Sequence, residues 1–291
     1  MKDKLKIFIF IFFLLVLFFY QNILVYNKLI FKTILLSFVP SLLPCLIIIN
    51  LLLELDVLTY VYNKTIKFGK YFYLLSLIFI CMILGMPSMQ ILLNNQINKK
   101  ILSEKEANKF IYSFGTISFP FIYGVCLVNI FDIKIAIFIL LIYFFINLIS
   151  LIFMDVKINH VKLNIDDYNL SKSFSSAILS SFKTIGLIVG CVIVFSLPLF
   201  FIEKIPSSIK YLLEGIFEFS FPSFIVSQSN NLYLYLIMIF LFMFPSLSVI
   251  FQSKLINNKL NIFKYLIIRF FLMLSAILLF FIFSVCYYTF L

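Results

Sequence analysis

An interrupted apolar segment decides how this chain meets a membrane: residues 71–100 have the sequence YFYLLSLIFICMILGMPSMQILLNNQINKK. A helix-length apolar run ends at Gly85-Met86-Pro87-Ser88, and only about ten residues then precede Lys99-Lys100. Proline removes a backbone donor and disfavours helix at the residue before it. Ten helical residues rise about 15 Å, half a bilayer. The segment is therefore predicted to enter the membrane and return to the same side; the alternative is a kinked but ordinary span.

A second segment, Ser207–Gln228, has the same organisation. It is interrupted at Ser220-Phe221-Pro222-Ser223, and Asn230-Asn231 follows within seven residues. Unpaired backbone at membrane depth is tolerated only inside protein or against a watery cavity. This segment is therefore also predicted to be a re-entrant hairpin, again with a kinked span as the alternative.

The composition is that of a membrane protein. The chain has 291 residues, of which 64% are hydrophobic and 12% charged, and its mean hydropathy is +1.15. Soluble domains are nearer 45–50% apolar and about 25% charged, which excludes a soluble enzyme, a disordered tail and a DNA-binding domain. The net charge of +11 comes from lysines between apolar runs, where they hold loops in the cytoplasm. The lipid bilayer, and not nucleic acid, is the expected partner.

The lysine distribution tests the topology. Apart from the first run, Leu5–Tyr20, the apolar runs are Leu29–Leu53, Tyr71–Leu93, Lys109–Asn129, Ile133–Met154, Ser175–Ile202, Ser207–Gln228, Leu232–Ser253 and Ile262–Phe290. If all nine cross, the two sides receive 13 and 10 of the 23 cationic residues. If the two interrupted segments return, the division is 18 to 5. The positive-inside rule favours the second arrangement and a cytoplasmic N-terminus.

The order of elements then repeats. We predict an all-α polytopic membrane protein with a leading span (residues 1–28), a first repeat (29–154), a connecting loop (155–174) and a second repeat (175–291). Each repeat is span, re-entrant hairpin, span, span, and the two are inverted in the membrane. The third element of each is also broken, at Ser118-Phe119-Pro120 and at Phe244-Pro245-Ser246. Inverted repeats whose broken helices meet at the midplane are typical of secondary transporters.

The breaks supply the candidate binding residues. A half-helix that starts at a break presents unpaired N–H groups and a partial positive charge, so several that converge make an anion site without a buried lysine. The alternative is that the Pro-Ser pairs only relieve kinks. The candidates for substrate binding are Gly85, Pro87, Ser88, Thr116, Ser118, Pro120, Ser220, Ser223, Ser246, Ser248 and Gln252, with Gln90 as a further neutral ligand.

Ionisable residues inside apolar runs are costly and therefore informative. Glu214 and Glu218 stand four apart on one helix face and are candidates for holding a proton or a cation; the alternative is an amphipathic limb at the interface. Lys183 and Arg269 are explained by side chains that reach the interface, although an arginine that faces a cavity would bind a carboxylate.

No catalytic constellation accompanies these residues. The five cysteines each stand alone, and His160 is the single histidine. The sequence has no Ser–His–Asp set, paired metal ligands or glycine-rich phosphate loop. We expect neither an enzyme nor a cofactor.

Several motifs resemble those of a known family. The stretches are Phe38-Val39-Pro40-Ser41-Leu42-Leu43-Pro44, Gly85-Met86-Pro87-Ser88, Glu106-Ala107, residues 118–124 (SFPFIYG), Leu213-Glu214-Gly215-Ile216-Phe217-Glu218, residues 247–252 (LSVIFQ) and Tyr265–Arg269. They resemble the YlbJ-type sporulation integral membrane proteins, over nearly the whole chain from about Leu29. That family belongs to the nucleoside-recognition (Gate) group, related to concentrative nucleoside transporters. The chain departs from the family pattern at Met89, at Phe114-Gly115-Thr116-Ile117 and at Pro245-Ser246.

The resemblance implies two Gate-like repeats and a role in endospore formation. The nearest family role, that of the stage V sporulation protein V group, is movement of dipicolinic acid across the outer forespore membrane. We therefore expect a transporter of a small organic anion, with dipicolinic acid as the leading candidate, in the cell membrane or the outer forespore membrane. One alternative is a nucleoside or another small neutral solute. Another is a non-transporting scaffold, in which Ser88 and Ser223 would tolerate bulky replacements. The sequence predicts no oligomeric state.

Overall fold

A computed structural model describes residues 2–130, 132–161, 169–203, 205–229, 231–257 and 259–289. These residues form helices and connections, with no strand among them. The α-helices, in chain order, are α1 (Lys2–Phe18), α2 (Tyr20–Thr33), α3 (Val39–Glu54), α4 (Val57–Thr65), α5 (Lys70–Leu84), α6 (Ser88–Asn98), α7 (Glu104–Phe114), α8 (Phe119–Phe121), α9 (Ile133–Phe153), α10 (Leu170–Ser196), α11 (Leu199–Ile202), α12 (Ser207–Phe217), α13 (Ser220–Ser227), α14 (Leu232–Met243), α15 (Leu247–Ile256) and α16 (Ile262–Thr289).

Six helical stretches are long and apolar enough to cross a membrane. Their bounds are Ile23–Glu54, Glu104–Asn129, Ile133–Phe153, Leu170–Ile202, Leu232–Ile256 and Ile262–Cys286. The chain is therefore a multi-pass, all-helical integral membrane protein, as the composition predicts.

The first interrupted segment is two helices and not one continuous rod. Helix α5 ends at Leu84, residues 85–87 form the break, and α6 begins at Ser88. At 1.5 Å per residue, the 15 residues of α5 and the 11 of α6 span about 22 Å and 16 Å, each shorter than a hydrocarbon layer of about 30 Å.

The second interrupted segment breaks earlier than the sequence prediction. Helix α12 ends at Phe217 and α13 begins at Ser220, so the break is Glu218-Phe219 and not Ser220–Ser223. Pro222 is the third residue of α13. The reason is that proline in a first helical turn removes only an N–H that has no intrahelical partner there. Pro222 therefore lies just inside the start of a helix, three residues after Phe219.

Two of the six candidate spans are themselves broken near their middle. Between α7 and α8 the chain leaves the helix from Gly115 to Ser118, and a π-helical turn, Ile122–Cys126, follows α8. Between α14 and α15 the break is Phe244-Pro245-Ser246, at the position predicted from the proline.

The N-terminal region differs from the prediction of a separate leading span. The predicted leading span, residues 1–28, is not separated from the first repeat by a loop: only Phe19 separates α1 from α2, and α2 continues through the π-helical turn Ile34–Phe38 into α3. Residues 20–38 contain no glycine or proline, so nothing ends the helix there. The π-helical turn directly precedes Pro40, whose ring would clash with the carbonyl four residues earlier in a regular helix.

The predicted connecting loop 155–174 is described only in part. Helix α9 ends at Phe153 and α10 begins at Leu170, five residues earlier than the predicted span. Residues 162–168, which include Asp166 and Asp167, lie outside the described residues.

Long helices from the N-terminal and C-terminal parts of the chain pack against each other. Helix α3 packs on α10, and α9 packs on α16. Buried apolar side chains form one core around α9, α14 and α16 and a second around α5, α6 and α7. Residues at three of the helix breaks face the α3–α10 pair across a cavity.

Candidate functional site

The helix breaks meet at a cavity between the two halves. Helices α3 and α10 supply an apolar wall, which includes Leu42, Leu46, Ile188 and Val192. The opposite wall comes from residues at three of the breaks and from helix α15, which follows the fourth. Its polar groups are the side chains of Ser88, Ser118, Ser220 and Gln252, and Pro120 also lines the cavity. Five of the eleven predicted binding residues are therefore brought together here.

Three of the four polar groups on this wall, those of Ser88, Ser118 and Ser220, belong to the start of a half-helix. Ser88 is the first residue of α6 and Ser220 the first of α13. Ser118 caps α8, where its Oγ accepts from the Phe121 N–H at 3.4 Å. Gln252 lies in α15, which also contributes Val249 to the lining. Because helix N-termini carry partial positive charge, this wall favours an electron-rich ligand group.

The cavity is small in this conformation, with a volume of about 50 Å³. That is room for a few water molecules. Three aromatic rings close part of it: Phe38 and Phe121 meet edge to face at 5.1 Å between centroids, and Phe121 and Phe219 do so at 5.3 Å. A solute of ten or more heavy atoms therefore requires the apolar wall to move.

The start of α13 is already occupied by a carboxylate of the same chain. Glu218 is fully buried, and its Oε2 accepts from the backbone N–H groups of Ser220 at 2.8 Å and Phe221 at 3.2 Å. Its Oε1 accepts from the Ser220 hydroxyl at 2.7 Å. This end of the wall thus accommodates a carboxylate with charge-assisted hydrogen bonds.

Glu214 lies in a different environment from Glu218. It is buried in α12, and its Oε1 lies 4.0 Å from Lys210 Nζ. It does not line the cavity. The two glutamates, predicted as a pair, therefore contact different surroundings.

The break after α7 has its carbonyls bonded by groups from other elements. The Gly115 carbonyl accepts from the Tyr265 hydroxyl, and the Thr116 carbonyl accepts from the Met86 N–H at 3.0 Å. The Ile117 carbonyl accepts from the Tyr143 hydroxyl at 2.7 Å. Because unpaired backbone inside a membrane protein costs free energy, these donors hold the chain open at this point.

Arg269 joins this break to the one after α14. Its side chain is fully buried, and it donates from Nε to the Met243 carbonyl at 2.8 Å and from Nη1 to the Ser113 carbonyl at 2.6 Å. It also donates to Asn147 Oδ1 at 2.8 Å and to Thr116 Oγ1 at 3.1 Å. The prediction that Arg269 reaches the membrane interface is wrong, because the two helix ends surround it with acceptors.

Gly85 holds the tip of the α5–α6 turn against the same break. Its φ is +57°, and a Cβ there would lie 2.4 Å from the Ser118 backbone nitrogen. No side chain fits between these two backbones. Gly85 therefore has a packing role beside the cavity and does not line it.

The other predicted residues also lie outside the cavity lining. Thr116 bonds Arg269, the Ser223 hydroxyl donates to the Phe219 carbonyl at 2.6 Å, and Ser246 Oγ caps α15 by accepting from the Val249 N–H at 3.4 Å. Ser248 Oγ accepts from Gln252 Nε2 at 3.1 Å. Pro87 precedes α6. Their positions shape the breaks that carry the lining residues.

Sequence reasoning missed the residues that hold the breaks and the apolar wall. Tyr143 and Asn147 lie in apolar runs and carry no motif of their own, whereas Tyr265 begins the Tyr265–Arg269 stretch that takes part in the family resemblance. Arg269 is the single arginine of the chain and lies inside an apolar run. Because a charged residue within a membrane span marks a constrained site, this position was the signal that could have identified its role.

Gln90 is buried near the cavity without contributing to its lining. Its side chain is 1% exposed, and neither amide atom has a hydrogen-bond partner in the part of the chain that the structure describes. Among those residues, no group of three His, Cys, Asp or Glu side chains is placed to hold a metal ion.

Comparison of the chain with protein-family models, with curated proteins and with solved structures gives no match.

Proposed function

We propose that this protein is a secondary transporter that moves a small organic anion through the cavity between its two halves. The observation that carries the proposal is the convergence of half-helix starts on one wall of that cavity, with Ser88, Ser118 and Ser220 facing it. Neutral hydroxyls and helix N-termini bind an anion without a fixed positive charge, which leaves the solute free to depart. The Glu218 carboxylate that accepts from Ser220 at the start of α13 is an example of the ligand class that this wall binds, and a solute carboxylate would bind at this start by displacing it.

Inverted repeats are part of this proposal. If α5, α6, α7 and α9 correspond to α12, α13, α14 and α16, three contacts in the structure have counterparts. The α7–α16 contact corresponds to α14–α9, and the α5–α7 contact corresponds to α12–α14. The α6–α15 contact corresponds to the one between α13 and the turn Ile122–Cys126. A contact pattern that maps onto itself when the halves are exchanged is expected of two related bundles. Alternating access then follows from movement of one half against the other.

The orientation and the cargo extend the proposal further. The short helices α5, α6, α12 and α13 would form two re-entrant hairpins, and the N-terminus would be cytoplasmic, as the 18-to-5 division of cationic residues favours. The family resemblance of the sequence makes dipicolinate, in endospore formation, the first solute to test.

A second candidate is a neutral solute such as a nucleoside. A polar recess beside α3 favours it, since this recess is lined by Glu54, Asp56 and three asparagines of α6. The Asp56 Oδ2 atom is buried there and has no hydrogen-bond partner among the described residues. A solute with hydrogen-bond donors would satisfy it.

Uptake into proteoliposomes tests both candidates. We expect labelled dipicolinate to accumulate above the level of empty vesicles, and Ser88→Trp to reduce uptake to that level, because the indole would fill the cavity. Ser275→Trp is the matched control, since Ser275 is an exposed serine of α16 and its replacement leaves the cavity unchanged.

The outcomes separate the candidates. Uptake of labelled uridine in place of dipicolinate, with the same sensitivity to Ser88→Trp, would favour the second candidate. Accumulation of neither solute above empty vesicles would contradict transport of these cargoes and favour the scaffold hypothesis.

A further inference from the structure

A second, more open cavity lies beside the first one and shares no lining residue with it. We call it the vestibule; its lining is Asn50, Leu53, Glu54, Asp56, Ile91, Asn94, Asn95, Asn98, Lys99 and Ser180. Its volume is about 540 Å³, roughly ten times that of the central cavity. The vestibule is thus large enough for a small solute as the structure stands.

The vestibule and the cavity follow each other along the same three helices. On α3 the cavity ends at Leu46 and the vestibule begins at Asn50; on α6 the corresponding residues are Ser88 and Ile91. On α10 they are Ile185 and Ser180. These separations of three to five residues correspond to about 5–8 Å of helix rise. The two spaces are therefore about one helical turn apart, measured on every helix that lines both.

One side-chain hydrogen bond joins α3 to α10 at the end of the vestibule that is nearest the cavity. Asn50 Nδ2 donates to Ser181 Oγ at 2.9 Å, and the Ser181 hydroxyl donates in turn to the Ala177 carbonyl at 2.7 Å. Ser181 is fully buried and Asn50 is 7% exposed. This bond ties α3 to α10 at the level where a solute would have to pass.

The lining of the vestibule suits a hydrophilic solute. Asn94, Asn95 and Asn98 present amide groups from α6, and Lys99 Nζ is held by Asp56 Oδ1 and by Thr59 Oγ1. Amides both donate and accept, so this surface can replace the hydration of a small polar molecule. Lys99 and Lys100 place the vestibule on a lysine-bearing face of the protein.

We propose that the vestibule is the access route by which a small hydrophilic solute reaches the cavity from the face that bears Lys99, and that the Asn50–Ser181 hydrogen bond is the barrier on this route. The inference rests on the proposed transport function, but its test does not, because it measures access by a reagent and needs no transported cargo.

Cys45 provides the probe, since it lines the cavity one turn before Asn50. The other cysteines, Cys81, Cys126, Cys191 and Cys286, are replaced by alanine, and the protein is reconstituted in vesicles. A charged, membrane-impermeant methanethiosulfonate is added, and modification of Cys45 is followed by mass spectrometry.

We expect Ser181→Ala and Asn50→Ala each to raise the rate of modification about fivefold, the factor that corresponds to the loss of one net hydrogen bond. Asn94→Trp, which fills the vestibule, should lower the rate by at least the same factor. Ser196→Ala is the matched control: it removes a buried hydroxyl of α10 that bonds only the Ile193 carbonyl of its own helix, so the rate should not change.

The result that overturns the inference is a rate unaffected by Asn94→Trp, or unaffected by both barrier variants. If Asn50→Ala fails to fold, Ser181→Ala breaks the same bond from the other side and decides the question. Failure of dipicolinate and uridine uptake with an intact labelling pattern would contradict the proposed cargoes and leave the access route standing.

Discussion

Arg269 shows how single residues make the helix breaks possible. A guanidinium buried in a membrane protein needs compensation for its charge, yet the four acceptors that it contacts are neutral oxygens. Two of them are carbonyls at or next to the last residues of α7 and α14, where the helix dipoles are negative. Two helix C-termini therefore supply the counter-charge that a carboxylate would otherwise supply.

Replacing Arg269 is expected to destabilise the fold. Arg269→Met leaves the Ser113 and Met243 carbonyls without donors, and we expect a loss of about 2–4 kcal/mol in the free energy of unfolding, from several hydrogen bonds of about 1 kcal/mol each. Arg269→Lys should recover only part of this, because an ammonium cannot reproduce the planar fork of donors. Unfolding in mixed micelles, followed by circular dichroism, measures the difference.

Lys183→Met is the control for this prediction, since Lys183 is an exposed cation of α10 and its removal should change stability by less than about 0.5 kcal/mol. Equal effects of the two methionine variants would contradict the role given to Arg269.

The sequence could not predict this role, because it depends on tertiary contacts. The position of Arg269 in an apolar run indicated that the residue was unusual, but a long side chain at such a position can also reach the interface. Three of its acceptors belong to residues that are between 122 and 156 positions earlier in the chain, and the fourth belongs to Met243, 26 positions earlier. No periodicity in the chain records that these groups meet.

Among the elements, the α5–α6 turn is the most constrained. It joins the break after α7 through the Met86–Thr116 backbone hydrogen bond, and Gly85 lets the two backbones approach. A turn and an unwound segment thus stabilise each other, which neither would do alone at membrane depth.

Gly85→Ala is therefore expected to cost more than about 2 kcal/mol, from a left-handed φ and from a methyl group that must displace backbone. Gly186→Ala is the matched control: Gly186 lies within α10 with nothing within 4 Å of an added Cβ, so alanine should be neutral or stabilise by up to about 1 kcal/mol. Thermal unfolding in detergent compares the two variants. Similar melting temperatures would contradict the packing role of Gly85.

Proline predicted the elements with uneven success, for a physical reason. Pro87 and Pro245 lie within breaks as expected, whereas Pro222 lies in the first turn of α13 and Pro44 lies inside α3. A proline excludes the regular helix on its N-terminal side, but it does not determine whether the chain turns, widens into a π-helical turn or starts a new helix. Those outcomes depend on which donors and acceptors the neighbouring elements offer.

At the scale of the whole molecule, the all-helical membrane architecture followed from composition and run lengths alone. The same cannot hold for the orientation of the short helices. A run of apolar residues does not indicate whether a pair of short helices crosses the membrane or returns to the side from which it entered. Labelling from the two sides of the membrane distinguishes these topologies.

Single cysteines in an otherwise cysteine-free chain test the topology. If α5 and α6 return to the same side, Lys67→Cys and Lys105→Cys react with an impermeant maleimide from one face, and Asp132→Cys reacts from the other. If α12 and α13 also return, Ser229→Cys shares the face of Asp132→Cys. Labelling of positions 67 and 105 from opposite faces would show that the first pair crosses.

The seam between α3 and α10 sets how the two halves can move. Two side-chain hydrogen bonds join these helices in the described ranges, Asn50 to Ser181 and Ser176 to Glu54, and both lie toward the end where α3 stops. Apolar contacts such as Leu42 and Val192 line the remainder. Because single van der Waals contacts are weak whereas each hydrogen bond costs more to break, a tilt of one helix against the other while these bonds are intact is expected to pivot at the bonded end. The seam then parts first near Val39, and opening of the vestibule route requires the Asn50–Ser181 bond to break in a separate step.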